Sequence, residues 1–180
     1  YFYKKNIGVD MIPVDADFSK YKIVVAPVLY MVKDGMKEAL ENFVKNGGIL
    51  ITTFMSGIVG QSDNVYLGGY PGPLREMAGV WVEEIDALAP EQKNKAKFAD
   101  GSIAACGLLC DLMHLEGAKA LASYEEDFYA GMPAASKNTY GKGTTYYIAT
   151  QFEEEGLAKI LDQAVQEAGV SSVIPEETGL

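Results

Sequence analysis

Histidine, tryptophan and cysteine are all scarce in this 180-residue sequence, with one, one and two copies respectively. A single histidine leaves one candidate base for any imidazole-dependent mechanism, and two thiols cannot build a disulfide framework. Positive charge is also short: 15 Lys and Arg stand against 25 Asp and Glu, a formal net charge of -10. Such a surface repels phosphate backbones, which argues against nucleic acid as a partner. Apolar runs are broken by charges well before the roughly 20 residues that a membrane-spanning helix requires, and no signal-peptide pattern begins the chain. What remains is ample apolar material, 48% of the residues, enough for one globular domain with a packed core.

Periodicity then assigns elements. Ile7 to Val14 alternates and reads as a strand, and Ile23 to Pro27 reads as a second strand, apolar enough to be buried on both faces. Met36, Leu40, Phe43 and Val44 have helical spacing, with Gly47-Gly48 as a stop signal, and Ile49 to Phe54 resumes as a β-branched strand. Strand, helix, strand predicts a right-handed parallel crossover and an α/β fold. Met55 to Pro73 is a long loop rich in Gly, Ser, Asp and Tyr, the kind that serves function or an interface.

Beyond the loop, Pro73 to Met77 reads as a helical turn opened by proline, and Val80 to Ile85 as a strand. Glu91 to Asp100 is polar and without clear period, which predicts a surface excursion. Ala118 to Tyr124, Met132 to Lys137 and Thr144 to Ala149 have strand character, and Tyr140-Gly141-Lys142-Gly143 supplies a tight turn, so this part is expected to be antiparallel. Leu157, Ile160, Leu161, Ala164 and Val165 mark one face of a closing helix that ends near Gly169, with Glu153, Glu154 and Glu155 beside its positive end. Cys106 and Cys110 read as small buried hydrophobes.

Several stretches, taken in order, resemble the middle domain of family 42 β-galactosidases. They are Gly8-Val9-Asp10-Met11-Ile12, Tyr21 to Tyr30, Phe43-Val44-Lys45-Asn46-Gly47-Gly48-Ile49-Leu50, Ser56-Gly57-Ile58-Val59 and Gly69-Tyr70-Pro71-Gly72-Pro73-Leu74-Arg75-Glu76. Val82-Glu83-Glu84, Asp127-Phe128-Tyr129-Ala130-Gly131 and Tyr140-Gly141-Lys142-Gly143 continue the series, so the likeness covers nearly the whole chain and loosens only from Glu91 to Met113.

The resemblance implies a flavodoxin-like fold similar to class I glutamine amidotransferases: a three-layer sandwich with a mainly parallel sheet and an antiparallel C-terminal hairpin. It implies a trimerisation domain over residues 1–172 and a connector at 173–180 leading to a small β domain, both ends being cut from a longer chain. It further implies a homotrimeric parent that hydrolyses terminal β-galactosides, with two catalytic glutamates on a barrel that would precede Tyr1. The expected location is cytoplasmic.

Residue by residue, the chemistry agrees with a non-catalytic piece. A nucleophile elbow needs a Ser or Cys at a sharp turn with a histidine in reach, whereas the turn after Ile49 to Phe54 offers only Ser56, and nothing places His114 near it. One His and two Cys lack zinc-site spacing, so no metal is assigned. Glu83, Glu84 and Asp86, like Glu125, Glu126 and Asp127, are adjacent charges and do not specify the pair of carboxyls ~5 Å apart that a retaining glycosidase needs. Val28 to Val32, bulky and apolar, makes a poor phosphate cradle, so no cofactor is assigned. The 11 tyrosines point instead to contact surfaces, and Tyr66, Tyr70, Phe128 and Tyr129, in predicted loops, are the candidate interface residues. Two other readings stay open. One is a free-standing amidotransferase-like hydrolase using Ser56 or a cysteine, and the other is a small-ligand or sugar-binding module with a concave aromatic pocket.

Overall fold

The β-branched run Ile23–Ala26 forms the first strand, β1, and Met36–Lys45 the first helix, α1. Good helix formers and Glu41, ion-paired with both Lys37 and Lys45 one turn away, favour α1, and Met36, Leu40, Phe43 and Val44 are its buried face. The chain then returns as β2, Ile49–Thr53, parallel to β1 with Ile23 opposite Ile49 and Ala26 opposite Thr52. This is the parallel crossover that the periodicity predicts. The computed structural model describes residues 1–173, so the connector at 173–180, apart from Val173, lies outside the described residues.

The remaining strands are β3 (Val80–Ala87), β4 (Asn94–Phe98), β5 (Ile103–Leu115), β6 (Lys119–Tyr124), β7 (Pro133–Tyr140), β8 (Gly143–Ile148) and β9 (Thr150–Phe152). A short helix, α2 (Arg75–Ala78), precedes β3, and α3 (Glu154–Glu167) follows β9. The sheet order is β1-β2-β8-β7-β6-β4-β5-β3, with β9 on β5. Among the named strands of the described residues, β1 with β2 and β2 with β8 run parallel, and the other pairings are antiparallel.

The expected flavodoxin-like, amidotransferase-like sandwich with a mainly parallel sheet is therefore wrong: among the described residues the domain is a mixed, mostly antiparallel nine-stranded sheet with three α-helices. The physical reason lies in the connections. A parallel neighbour needs a crossover of about a dozen residues or more, while the paired strands β4 and β5, and β7 and β8, are joined by short turns that permit only reversal.

Around β2 the domain has three layers. Ile49 and Ile51 pack with Ile160, Leu161 and Ala164 of α3, while Leu50, on the alternate face, packs with Leu40, Phe43 and Val44 of α1. Beyond β8 the sheet curls. Leaving β8 through β7, β6, β4 and β5, the hydrogen-bonded path comes back at β9, with Ala149 alone between the end of β8 and the start of β9. Tyr124, Tyr129, Tyr146, Phe152 and the two cysteines belong to the core of this ring, and both thiols are free and buried.

Other expectations also need correction. Ile7 to Val14 forms no strand, and Val9 and Met11 are exposed on it. Val25 is 42% exposed, so β1 is an edge strand and not one buried on both faces. The excursion at Glu91 to Asp100 contains β4, whose Asn94, Ala96 and Phe98 are buried while Lys95 and Lys97 are exposed. The C-terminal helix and the Tyr140 to Gly143 turn lie where the sequence places them.

Candidate interface

Two loops leave the carboxyl ends of β1 and β2 and are stitched together. Leu29 O accepts from Gly57 N at 2.8 Å, Tyr30 O accepts from Ile58 N at 2.9 Å, and Val59 O accepts from Val32 N at 3.0 Å. Side chains complete the seam: Val28 N donates to Thr53 Oγ1 at 2.8 Å, Leu29 N donates to Ser56 Oγ at 3.0 Å, and the Tyr66 hydroxyl donates to Val32 O at 3.1 Å. Gly57 lies at φ 65°, and a Cβ there would fall 2.2 Å from Pro71 O, so only glycine lets the two limbs of the longer loop approach.

On this fixed frame the loops display apolar side chains. Val28 is 47% exposed, Tyr30 40%, Val65 54% and Leu67 96%. Beside them the Trp81 ring meets the Arg75 guanidinium, 5.4 Å from its centroid, and the His114 ring, stacked at 4.9 Å. Arg75 grips Glu116 through two nitrogens, His114 Nε2 is 2.8 Å from Glu83 Oε2, and Gly68 O accepts from both Trp81 Nε1 and Arg75 Nη1. Rigid aromatic and arginine side chains of this kind resemble the anchors of protein interfaces.

The candidate interface residues fall into two places. Tyr66 and Tyr70 are half-buried in the long loop, Tyr70 bridging to Val82 through its backbone. Phe128 and Tyr129 sit together on the β6–β7 connection: Phe128 is 75% exposed and meets Tyr129 edge-on, while Tyr129 is buried with its hydroxyl 2.9 Å from Asp86 Oδ2. Val65, Leu67 and Trp81 were not singled out from the sequence. Their only signal was apolar bulk inside, or next to, a segment otherwise made of turn residues. Tyr66→Phe is expected to cost about 1 kcal/mol of stability, the worth of one hydrogen bond, read as a shift in the urea midpoint.

Groups weighed for catalysis are otherwise engaged. Ser56 is fully buried, with Thr52 Oγ1 2.7 Å away, and His114 is held by Glu83 and Trp81. Asp86 binds Tyr129, and Glu126 pairs with Lys95. Among the described residues no group of three or more His, Cys, Asp or Glu is placed to hold a metal ion, and no helix is long and apolar enough to cross a membrane. An open cleft of about 600 Å³ lies at the opposite end of β2, where Phe18 and Phe43 are packed edge-to-face and mostly covered.

Comparison with known proteins completes the description. A family model described as the beta-galactosidase trimerisation domain matches residues 1–171. Beta-galactosidase LacA of Lactobacillus acidophilus is 52% identical over 96% of this chain, and beta-galactosidase BgaA of a Planococcus strain is 49% identical over 99% of it. The chain spans about a quarter of the length of these curated relatives, 26% and 27% respectively. Among solved structures, the beta-galactosidase from Bacillus circulans sp. alkalophilus superposes with a TM-score of 0.94 at 45% identity, covering 96% of this chain and 26% of that one. The cold-adapted beta-galactosidase from Rahnella sp. R3 gives 0.93 at 40% identity, covering 97% and 26%. Matched by the family model over residues 1–171 and superposing on a 45% identical solved relative over 96% of its length, this chain belongs to the beta-galactosidase trimerisation domain family.

Proposed function

We propose that this domain is the non-catalytic assembly module of a longer cytoplasmic β-galactosidase, joining three copies of it and packing against the other domains of its own chain. Hydrolysis of terminal β-galactosides, with retention, then belongs to two glutamates on a barrel outside these residues. The observation that carries the reading is the apolar rim of Val28, Tyr30, Val65 and Leu67, held out to solvent by loops whose backbones are tied to each other. Side chains displayed on a prearranged frame lose little conformational entropy when a partner covers them. In this reading Tyr66 and Tyr70 brace the rim, Phe128 is a second contact point, and Tyr129 supports Phe128 from beneath.

The test is made on the full-length protein. Val65→Asp together with Leu67→Asp buries two charges at the interface and is expected to convert trimer to monomer at micromolar concentration, measured by sedimentation velocity. Phe128→Asp is expected to weaken assembly by a smaller factor, and Tyr66→Phe to leave it intact. A double variant that remains fully trimeric would remove the rim from the interface. Galactoside turnover by the purified 180-residue chain would end the division of labour.

A further inference from the structure

β5 carries a carboxylate where the ring closes. Asp111 is 1% exposed, and its backbone N–H donates to Ala149 O, the residue that joins β8 to β9. Its Oδ2 accepts one hydrogen bond, from the Tyr147 hydroxyl of β8 at 2.6 Å, while Oδ1 has no partner. An ionised carboxylate with one donor, one bare oxygen and no cation is costly in such surroundings, whereas a neutral acid costs far less.

Among the described residues, the groups that face it supply no positive charge. β8 presents Tyr147, β6 presents Tyr124, whose hydroxyl reaches the Asp111 and Ala149 carbonyls, and β3 sets Ile85 directly across. Tyr70 and Met113 pack in the same cluster, and the neighbouring Cys110, which belongs to the cluster on the other face, still acts on Asp111 electrostatically. Ser136 Oγ, cross-strand from Tyr147, and Thr145 Oγ1, two residues before it, are also buried without partners.

We propose that Asp111 is a proton-operated latch: carried as a neutral carboxylic acid, it keeps the junction of β5 with β8 and β9 closed, and its ionisation loosens that junction. Burial pushes the Asp111 carboxyl up to about 7, against the pull of the Tyr147 hydrogen bond and with a smaller electrostatic push from the neighbouring Cys110, so the latch works across neutrality. Folding takes up a proton here, and the closed form is favoured as pH falls through that value.

Hydrogen exchange by mass spectrometry on the full-length protein tests this, read on peptides spanning 103–115 and 143–152 at pH 6 and pH 8.5 and corrected for intrinsic rates. The protection of these peptides is expected to fall about tenfold or more at the higher pH, while Asp111→Asn, which cannot ionise, shows no such fall. Tyr147→Phe, which removes the donor to the carboxylate, is expected to move the transition to higher pH, and it serves if the asparagine variant does not fold. A wild-type protein with pH-independent protection, an asparagine variant with the wild-type transition, or a Tyr147→Phe transition that stays put or moves down would each overturn the proposal.

Discussion

Gly143→Ala is expected to bring the chain close to global unfolding. A Cβ at this position would lie 2.2 Å from Gly48 O and 2.2 Å from Val44 O, both of them backbone atoms. No rotamer change relieves such a clash, since the two carbonyls belong to the end of α1 and the entry to β2. The same corner is closed by Thr144 N donating to Gly48 O at 3.2 Å and by Lys142 N donating to Lys45 O at 3.1 Å. The added methyl must therefore push β8 away from the crossover, whose β2 is its parallel neighbour. A cost of about 3 to 5 kcal/mol follows, a large share of the 5–15 kcal/mol typical of a domain. Urea denaturation should show a lower midpoint with unchanged slope, and a loss below about 1 kcal/mol would mean that the corner is softer than its geometry implies.

Asp111→Asn is expected to act in the opposite direction. The unfolded carboxyl titrates near the ordinary value of 3.8 and the folded one near 7, so between those values the native state holds a proton that the unfolded state has released. Wild-type stability contributed by this group is fully present below about pH 4, declines as pH rises, and levels off above about pH 7. The asparagine variant lacks that decline. Its advantage should grow through this window and reach at most about 4 kcal/mol at the plateau, less whatever the amide loses in fit. Other carboxylates slope the other way: Glu116, bonded to Arg75, and Asp162, bonded to Tyr1, are held below their usual range and favour folding as pH rises from acid. The informative quantity is thus the difference between variant and wild type, in which those slopes cancel. A flat difference from pH 4 to 8 would contradict the argument.

Legibility followed residue chemistry. β1, α1 and β2 could be read because β-branched runs flank a helix with a clean apolar stripe and turn residues mark its end. α3 was readable for the same reason. β4 was hidden because its exposed positions are lysines and one buried position is an asparagine, whose amide donates to Glu126 O. In β5 the run Ala104-Ala105-Cys106-Gly107 offers small residues without β-branching, and the register slips between Gly107 and Cys110, where Leu108 adopts φ 65°. A register slip breaks the alternation that a reader would look for. The global error had one source: a single genuine crossover, together with a family likeness, was extended to a whole sheet whose later turns are too short for it.

Among the candidate interface residues, tyrosines drew attention by number, whereas exposure was decided by pairing. Tyr129 is covered because its hydroxyl finds Asp86 and its ring meets Tyr124 and Phe128. Leu67 is uncovered because Gly68 O is bound by Arg75 and Trp81, fixing the loop with the leucine outward. Neither outcome is visible in a one-dimensional pattern.

The two ends of the sheet differ in how well they resist uncontrolled growth. β3 closes one end with Glu83, Glu84 and Asp86, charges that discourage a foreign strand from docking. β1 ends the other with Val25 half uncovered, and among the described residues no strand pairs with its outer side. Aggregation of a nascent or proteolysed copy would therefore be seeded at β1, where a lysine in place of Val25 would act as a gatekeeper.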